Sequence, residues 1–242
     1  MADQEVAKHT KAIWRIMTAE HGFWHKVREM LLEIVIIVFA VTLSIWLHSQ
    51  SEHRHEQTQV KTFLLGLKRD IQSDISQTQE VVASHRASDE GYAYLAKLDP
   101  RETPDGENFN AAYAFLNSNN FLVPRLGRYE GFKSSGKLTN IENDALLENI
   151  VNLYQYDLPK ASLSSSGWMG NHKKVQEFAE QATAEDQSLT ARYKMATSAA
   201  GKRHLERMVT HDQFYARHQT LIDAGNAIIK DIDQAYPEQS RP

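Results

Sequence analysis

The chain has 242 residues, a net charge of −4, 41% hydrophobic and 24% charged residues, and no cysteine. This length accommodates one large domain or two small ones. The composition excludes collagen-like, strongly charged disordered and multi-pass membrane chains, and the charge lacks the basic excess of nucleic-acid-binding proteins. The lack of cysteine excludes disulfide scaffolds, thiolate metal centres and cysteine nucleophiles.

The segment before the most apolar part of the chain is short and basic. Residues 5–29 interleave apolar side chains with lysine and arginine, which predicts an amphipathic helix. Such a segment either lies on a membrane surface or forms a short cytoplasmic tail. It is too short to fold as an output domain of its own.

The next segment predicts a membrane span. Residues 34–41 are all apolar, and the wider range 30–48 contains one charged residue, Glu33. Nineteen residues of helix extend about 28 Å, close to the ~30 Å hydrocarbon thickness of a bilayer. Trp24 and Trp46 bracket the segment, where interfacial aromatic anchors belong. We therefore predict a single transmembrane helix over residues 30–48.

Three other interpretations of residues 30–48 fit less well. A surface helix of a soluble protein would show an apolar stripe, but this segment is apolar on all faces. A signal peptide would have an unusually long charged region before it, with only a weak Ser49-x-Ser51 cleavage pattern after it. A helix lying in the membrane surface would need a charged face. A buried core helix remains the nearest alternative.

The flanking charges predict the orientation of the span. Arg15, Lys26 and Arg28 precede it, whereas Arg54 and Lys61 follow it. By the positive-inside rule, the N-terminus lies in the cytoplasm. In a bacterium, the protein is then a single-pass protein of the inner membrane, and its larger C-terminal part is periplasmic.

The remainder of the chain predicts further helices. Apolar residues recur every three or four positions from Val60 to Val82, and we expect this amphipathic helix to continue from the span to about Leu98. Proline, glycine and capping residues then predict a loop at 99–109 and helices at about 110–118, 126–135, 140–158, 160–198 and 202–236.

The predicted fold class is therefore all-α: a transmembrane helix that continues into a long stalk helix, packed with further helices in an extramembrane bundle. The predicted domains are an N-terminal segment (1–29), the span (30–48), an extracytoplasmic helical domain (49–237) and a disordered tail (238–242).

Two regions of the sequence resemble a family of bacterial single-pass membrane proteins. The first combines Glu33, the Ile/Val-rich run to Val41, Trp46 and a charged stretch that leads into residues 63–71. The second is residues 133–154. Alanine stands at position 40, where the family frequently has glycine, and a histidine-rich stretch replaces an asparagine-rich one. The resemblance implies the same membrane topology but no activity.

A phosphate-binding loop is almost matched by Gly131-x-x-x-x-Gly136-Lys137. That motif requires serine or threonine directly after the lysine, but this chain has Leu138, and no buried strand precedes it. We expect two helices joined by a Ser-Ser-Gly turn instead.

Three histidines, His204, His211 and His218, are spaced by seven residues in the predicted last helix. They would form one stripe about 10 Å apart, which is too far for a shared metal ion. We expect them to be polar positions in a helix seam, or pH-sensitive packing positions. Near the span, Glu52-x-x-His55 is the other candidate for metal binding, and we predict no cofactor or metal.

Glu33 is the most unusual residue of the predicted span. It either reaches the cytoplasmic headgroups near Arg28, or it lines a helix–helix contact together with Ser44. The predicted contact and interface set is Trp24, Arg28, Glu33, Ser44 and Trp46.

The absence of catalytic motifs favours a non-enzymatic, membrane-anchored interaction or scaffold protein that forms a homo-oligomer or joins other membrane proteins. Its partners would be the lipid bilayer and protein, not nucleic acid. One alternative is an extracytoplasmic sensory or small-ligand-binding module that acts through a partner. A second is a metal-dependent enzyme that uses the histidines.

Overall fold

The computed structural model describes residues 2–102, 105–118 and 120–237, and for residues 2–23 and Lys26 it describes the backbone alone. The fold is all-α, and the described residues contain no strand. The α-helices are α1 (Ala2–Lys97), α2 (Gly106–Tyr113), α3 (Gly127–Ser134), α4 (Asp144–Asn152), α5 (Leu158–Ala182), α6 (Leu189–Thr197), α7 (Ala199–Glu206) and α8 (Asp212–Ala235).

The chain divides into two compact units, Met1–Thr58 and Gln59–Pro242. Helix α1 contributes residues to both units. The predicted long helix is confirmed, because α1 ends at Lys97, one residue before the expected end. The predicted tail 238–242 lies outside the described residues.

The second unit is built on one face of α1. From Val60 onward, every third or fourth residue of α1 is buried, which confirms the amphipathic pattern of the sequence. The buried positions along this face are Val60, Phe63, Leu64, Leu67, Ile71, Asp74, Thr78, Val81, His85, Ser88, Tyr92 and Leu95.

Two apolar cores form along this face of α1. The first core contains α1 residues from Val60 to Ile71 and buried side chains of α4, α5 and α8. Helix α8 comes close to α1 at Gly225, where a Cβ atom would lie 3.0 Å from side-chain atoms of both Ile71 and Ile75. The second core begins at Tyr92 of α1 and includes buried side chains of α2, α5, α6 and α7.

The predicted break between helices at 158–160 is wrong. A single π turn, Leu153–Asp157, joins α4 directly to α5. The proline of this region, Pro159, lacks an N–H group, and its ring clashes with the carbonyl four residues earlier in a regular helix. The wider π turn before Pro159 accommodates the proline without ending the helix.

Local capping decides where several other helices begin and end. Helix α2 begins at Gly106, earlier than predicted, because the Asp105 carboxylate accepts hydrogen bonds from two backbone N–H groups of its first turn. The Ser-Ser-Gly turn after α3 is confirmed, since Gly136 adopts a left-handed φ of 72°. The N-cap of α4 is Asn143, whose side chain accepts from Leu146 N at 3.0 Å, so this helix begins a few residues later than the predicted start at about residue 140.

The two long C-terminal helices of the sequence prediction are wrong. The predicted helix 160–198 is two helices, α5 and α6, and the predicted helix 202–236 is also two, α7 and α8. Ser188 lies within the first of these predicted helices, and its side chain accepts a hydrogen bond from Ala191 N at the start of α6. The second predicted helix is interrupted at residues 207–211, where α7 ends and α8 begins.

Candidate functional site

The described residues contain one helix that is long and apolar enough to cross a membrane, Val27–Lys97. The most apolar 18 residues of this helix are 0% buried, so no other part of the chain covers their surface. A core helix of a soluble protein passes the same test of composition but is mostly buried. The exposure therefore argues against the core-helix alternative for residues 30–48.

The predicted interface residues are all exposed on this part of α1. Trp24 and Trp46 are 68% and 60% exposed, and Arg28, Glu33 and Ser44 are also exposed. At 3.6 residues per turn, Ser44 lies about three turns after Glu33, so both lie on the same helix face. Glu33 and Ser44 therefore share one exposed face of α1.

Ala40 lies on the same helix face as Glu33 and Ser44, and Thr42 lies on the opposite face. Ala40 lies about two turns after Glu33, and together with Ser44 it forms a pair of small residues four positions apart. Thr42 lies on the opposite side of the helix, where its hydroxyl donates to the Val38 carbonyl at 2.7 Å. We call Glu33, Ala40 and Ser44 the small-residue face.

The prediction that His204, His211 and His218 share one helix is wrong. His204 lies on α7, His211 is the N-cap residue of α8, and His218 lies inside α8. His204 is half-buried and stacks on Phe178 at 4.9 Å between ring centroids, whereas His211 is exposed. Only His218 is fully buried.

His218 belongs to a different group of histidines, which we call the histidine–aromatic cluster: His85, Trp168, His172, Phe214 and His218. The His85 ring lies 4.4 Å from Trp168 and 4.5 Å from Phe214. Trp168 stacks on His172 at 4.8 Å, and Phe214 stacks on His218 at 4.0 Å. The cluster therefore joins α1, α5 and α8, at a level of α1 between the two apolar cores.

Hydrogen bonds to backbone carbonyls hold the three histidines in place. The contacts are His85 Nε2 to Asn120 O (3.3 Å), His172 Nε2 to Phe115 O (3.4 Å) and His218 Nδ1 to Phe214 O (2.8 Å). A ring N–H donates in each of these contacts, which leaves the other nitrogen free of a proton in the neutral ring.

Burial disfavours the charged form of these histidines. The pKa of His85 is lowered from its ordinary value of 6.5 to about 4, chiefly by burial and to a smaller extent by the charges of His218 and His172. Burial also lowers the pKa of His172 and of His218. The hydrogen bond with the Asn120 carbonyl and the nearby Asp89 carboxylate act in the opposite direction on His85 but do not outweigh burial.

The cluster does not form a hydrolase triad. Ser165 Oγ lies 3.4 Å from His218 Nε2, and both side chains are buried. The other nitrogen of His218 faces the Phe214 carbonyl and not a carboxylate. The nearest acid of the cluster, Asp89, accepts hydrogen bonds from Thr210 N, Thr210 Oγ1 and the Tyr215 hydroxyl at 2.6–2.8 Å.

No metal site is formed by the side chains that the structure describes. In that part of the chain, no three histidine, aspartate or glutamate residues lie close enough together to hold one ion. This holds for Glu52 and His55, which follow the apolar segment of α1, and for the histidine–aromatic cluster. The three buried histidines of the cluster use their ring nitrogens on carbonyl and hydroxyl groups instead.

A cleft of about 290 Å³ opens beside the cluster, and we call it the Trp168 cleft. Trp168 and Phe214 belong both to the cluster and to the wall of this cleft. The lining residues are Leu163, Ser164, Gly167, Trp168, Asn171, Arg207, Val209, Thr210, His211, Gln213, Phe214 and Arg217.

Sequence reasoning found His211 and His218 but missed His85 and His172. His85 continues the buried face of α1 after Val81, so the three- and four-residue periodicity could have indicated its burial. His172 lies on the buried face of α5 with Ser165, Val175 and Ala179, so the same periodicity could have indicated its burial. Its contact with the Phe115 carbonyl joins segments distant in sequence, and no local pattern indicates that contact.

Comparison with protein-family models, with curated proteins and with solved structures finds no match to this chain. The resemblance of residues around 33–71 and 133–154 to a family of bacterial single-pass membrane proteins therefore stays a prediction.

Proposed function

We propose that this chain is a non-enzymatic, membrane-anchored interaction or scaffold protein that self-associates or joins other membrane proteins through its span. The observation that carries the proposal is the apolar segment of α1, whose most apolar 18 residues are 0% buried. A bilayer covers such a surface, and a second helix covers part of it in an assembly.

The small-residue face is the contact surface that we propose. Small side chains let helix backbones approach closely in a membrane, and a carboxyl group inside a span is costly unless it finds a partner. Glu33 is exposed, and no ion pair or hydrogen bond of its side chain is present among the side chains that the structure describes. A neighbouring copy of the span would supply that partner and bury Ala40 and Ser44.

Cross-linking in native membranes tests this contact, because the natural chain has no cysteine. We expect Ser44→Cys to form a disulfide-linked dimer under mild oxidation and Thr42→Cys, on the opposite face, to form several-fold less. Adding Glu33→Leu to Ser44→Cys should lower the dimer yield, whereas Glu33→Gln, which can still hydrogen bond, should retain more of it. Equal yields from Ser44→Cys and Thr42→Cys, whether high or absent, would contradict the proposed face.

We further propose that the span lies in a bacterial inner membrane with its N-terminus in the cytoplasm and residues 49–237 in the periplasm. The support is the excess of basic residues before the span. Single cysteines test the orientation with a thiol reagent that does not cross the inner membrane. Glu185→Cys, at an exposed position, should react in cells with a permeable outer membrane, and Ala7→Cys should react only after lysis. The reverse pattern would overturn the orientation.

A further inference from the structure

We infer that the Trp168 cleft binds a small organic anion, with an aromatic or branched apolar body and one carboxylate. This inference goes beyond the proposed self-association and does not depend on it, because all of its residues lie in the second unit. The volume of about 290 Å³ stands at the small end of the range for ligand pockets, which suits a compact molecule.

The apolar walls of the cleft are held rigidly before any ligand binds. The Trp168 indole donates from Nε1 to the Met208 carbonyl at 3.1 Å, and its ring is supported by His85 and His172. Phe214 is supported by His85 and by His218. A ligand ring can therefore pack against the partly exposed Trp168 without the entropic cost of ordering this wall, which is a cost that preorganised sites avoid.

The charges of the cleft select an anion. The basic side chains of its lining are Arg207, His211 and Arg217, and no aspartate or glutamate lines it. This local excess contrasts with the whole chain, whose net charge is −4. Within the described residues, neither arginine forms an ion pair with a carboxylate, so both guanidinium groups are available for one.

Arg217 is the better placed of the two arginines. Its Nη1 donates to Ser164 Oγ at 2.8 Å, which holds the half-buried guanidinium at the cleft while leaving its other N–H groups available. A guanidinium binds a carboxylate through two parallel hydrogen bonds, and its planar geometry favours this pairing. Asn171 and Gln213 add neutral polar groups to the same lining.

The cleft can be tested by fluorescence, because Trp168 is the one tryptophan of the second unit. The chain has four tryptophans, and replacing Trp14, Trp24 and Trp46 by phenylalanine leaves Trp168 as the sole reporter. We call this full-length protein in mild detergent the Trp168-only variant. The probes are phenylacetate, its neutral analogue phenylacetamide, and acetate, which carries the charge without the ring.

We expect phenylacetate to change Trp168 emission saturably, with a Kd of about 1 mM as is usual for a fragment of this size. Phenylacetamide and acetate should each bind at least about tenfold more weakly, since each lacks one of the two recognised features. No saturable change with phenylacetate, or equal binding of phenylacetate and phenylacetamide, would overturn the inference.

Two variants assign the binding to the cleft. Arg217→Gln should weaken phenylacetate binding at least about tenfold, and Arg203→Gln, at an exposed position of α7 outside the cleft, should not change it. Leu163→Asp places a negative charge at a side chain that is 68% exposed, where folding is not at risk, and should also weaken binding relative to Leu163→Asn. Unchanged binding in both Arg217→Gln and Leu163→Asp would contradict the assigned site.

Discussion

Two stretches of helix α1 have similar apolar side chains and opposite surroundings. In residues 30–48, the large apolar side chains are exposed on every face. In residues 59–97, one face is buried against the other helices of the second unit, and the remaining faces are polar. A helix that is apolar all round needs lipid or another span as its solvent, whereas a striped helix needs a protein core. The two stretches differ both in the density of apolar residues, 15 of 19 against 16 of 39, and in the distribution of those residues around the helix.

The largest expected effect is a difference in the free energy of unfolding when the same substitution, Leu→Ala, is made in each of the two stretches. Leu67 is 0% exposed in the first core, so Leu67→Ala should lower the free energy of unfolding of the second unit by about 3 kcal/mol, from lost transfer energy and a residual cavity. Leu43→Ala, at an exposed side chain of residues 30–48, should change it by less than about 0.5 kcal/mol. Urea unfolding followed by the emission of the Trp168-only variant measures both. A loss of similar size in Leu43→Ala would mean that the second unit depends on the span for stability.

A smaller effect is the pH dependence of the free energy of unfolding, which residues 59–97 influence because they include the buried His85. Its pKa is about 4 in the folded chain and 6.5 when exposed, so the unfolded chain binds more protons between these values. Stability is therefore complete above pH 6.5 and falls as the pH falls towards 4. Between pH 7.5 and pH 5, His85 alone should account for about 2 kcal/mol of lost stability.

His85→Phe is the matched variant for this measurement, since it keeps an aromatic ring and removes the titration. The groups that face His85 remain in it: Asp89 on α1, His172 on α5 and His218 on α8. Urea unfolding at several pH values should show a shallower pH dependence for His85→Phe than for the natural chain. An equal slope would show that His85 does not control the acid response.

The sequence predicted the fold class and the two stretches of α1 well. The length of the segment 30–48 and the stripe from Val60 are local patterns, which depend only on residues a few positions apart. The helix boundaries after residue 98 were harder to predict from the sequence. Pro159 acts there by lacking a backbone N–H group, which the π turn before it accommodates, and Ser188 acts by capping the start of α6 inside a predicted helix.

The candidate sites also differ in how far local sequence patterns could predict them. Glu33 and Ser44 could be placed on one helix face from the sequence alone, because a single helix relates them. The stripe of His204, His211 and His218 failed because the chain leaves the helix at residues 207–211, where α7 ends and α8 begins. The spacing of seven residues carried no information about that interruption.

By itself, the sequence determined that this chain is helical, that residues 30–48 are apolar on all faces and that α1 continues beyond them with one buried face. These properties follow from periodicity and length, which are local. Only the tertiary structure brought His85 against Trp168 and Phe214 and placed Arg217 beside the resulting cleft. Those contacts join α1, α5 and α8, and packing between segments distant in sequence is decided by the complementarity of whole helix faces.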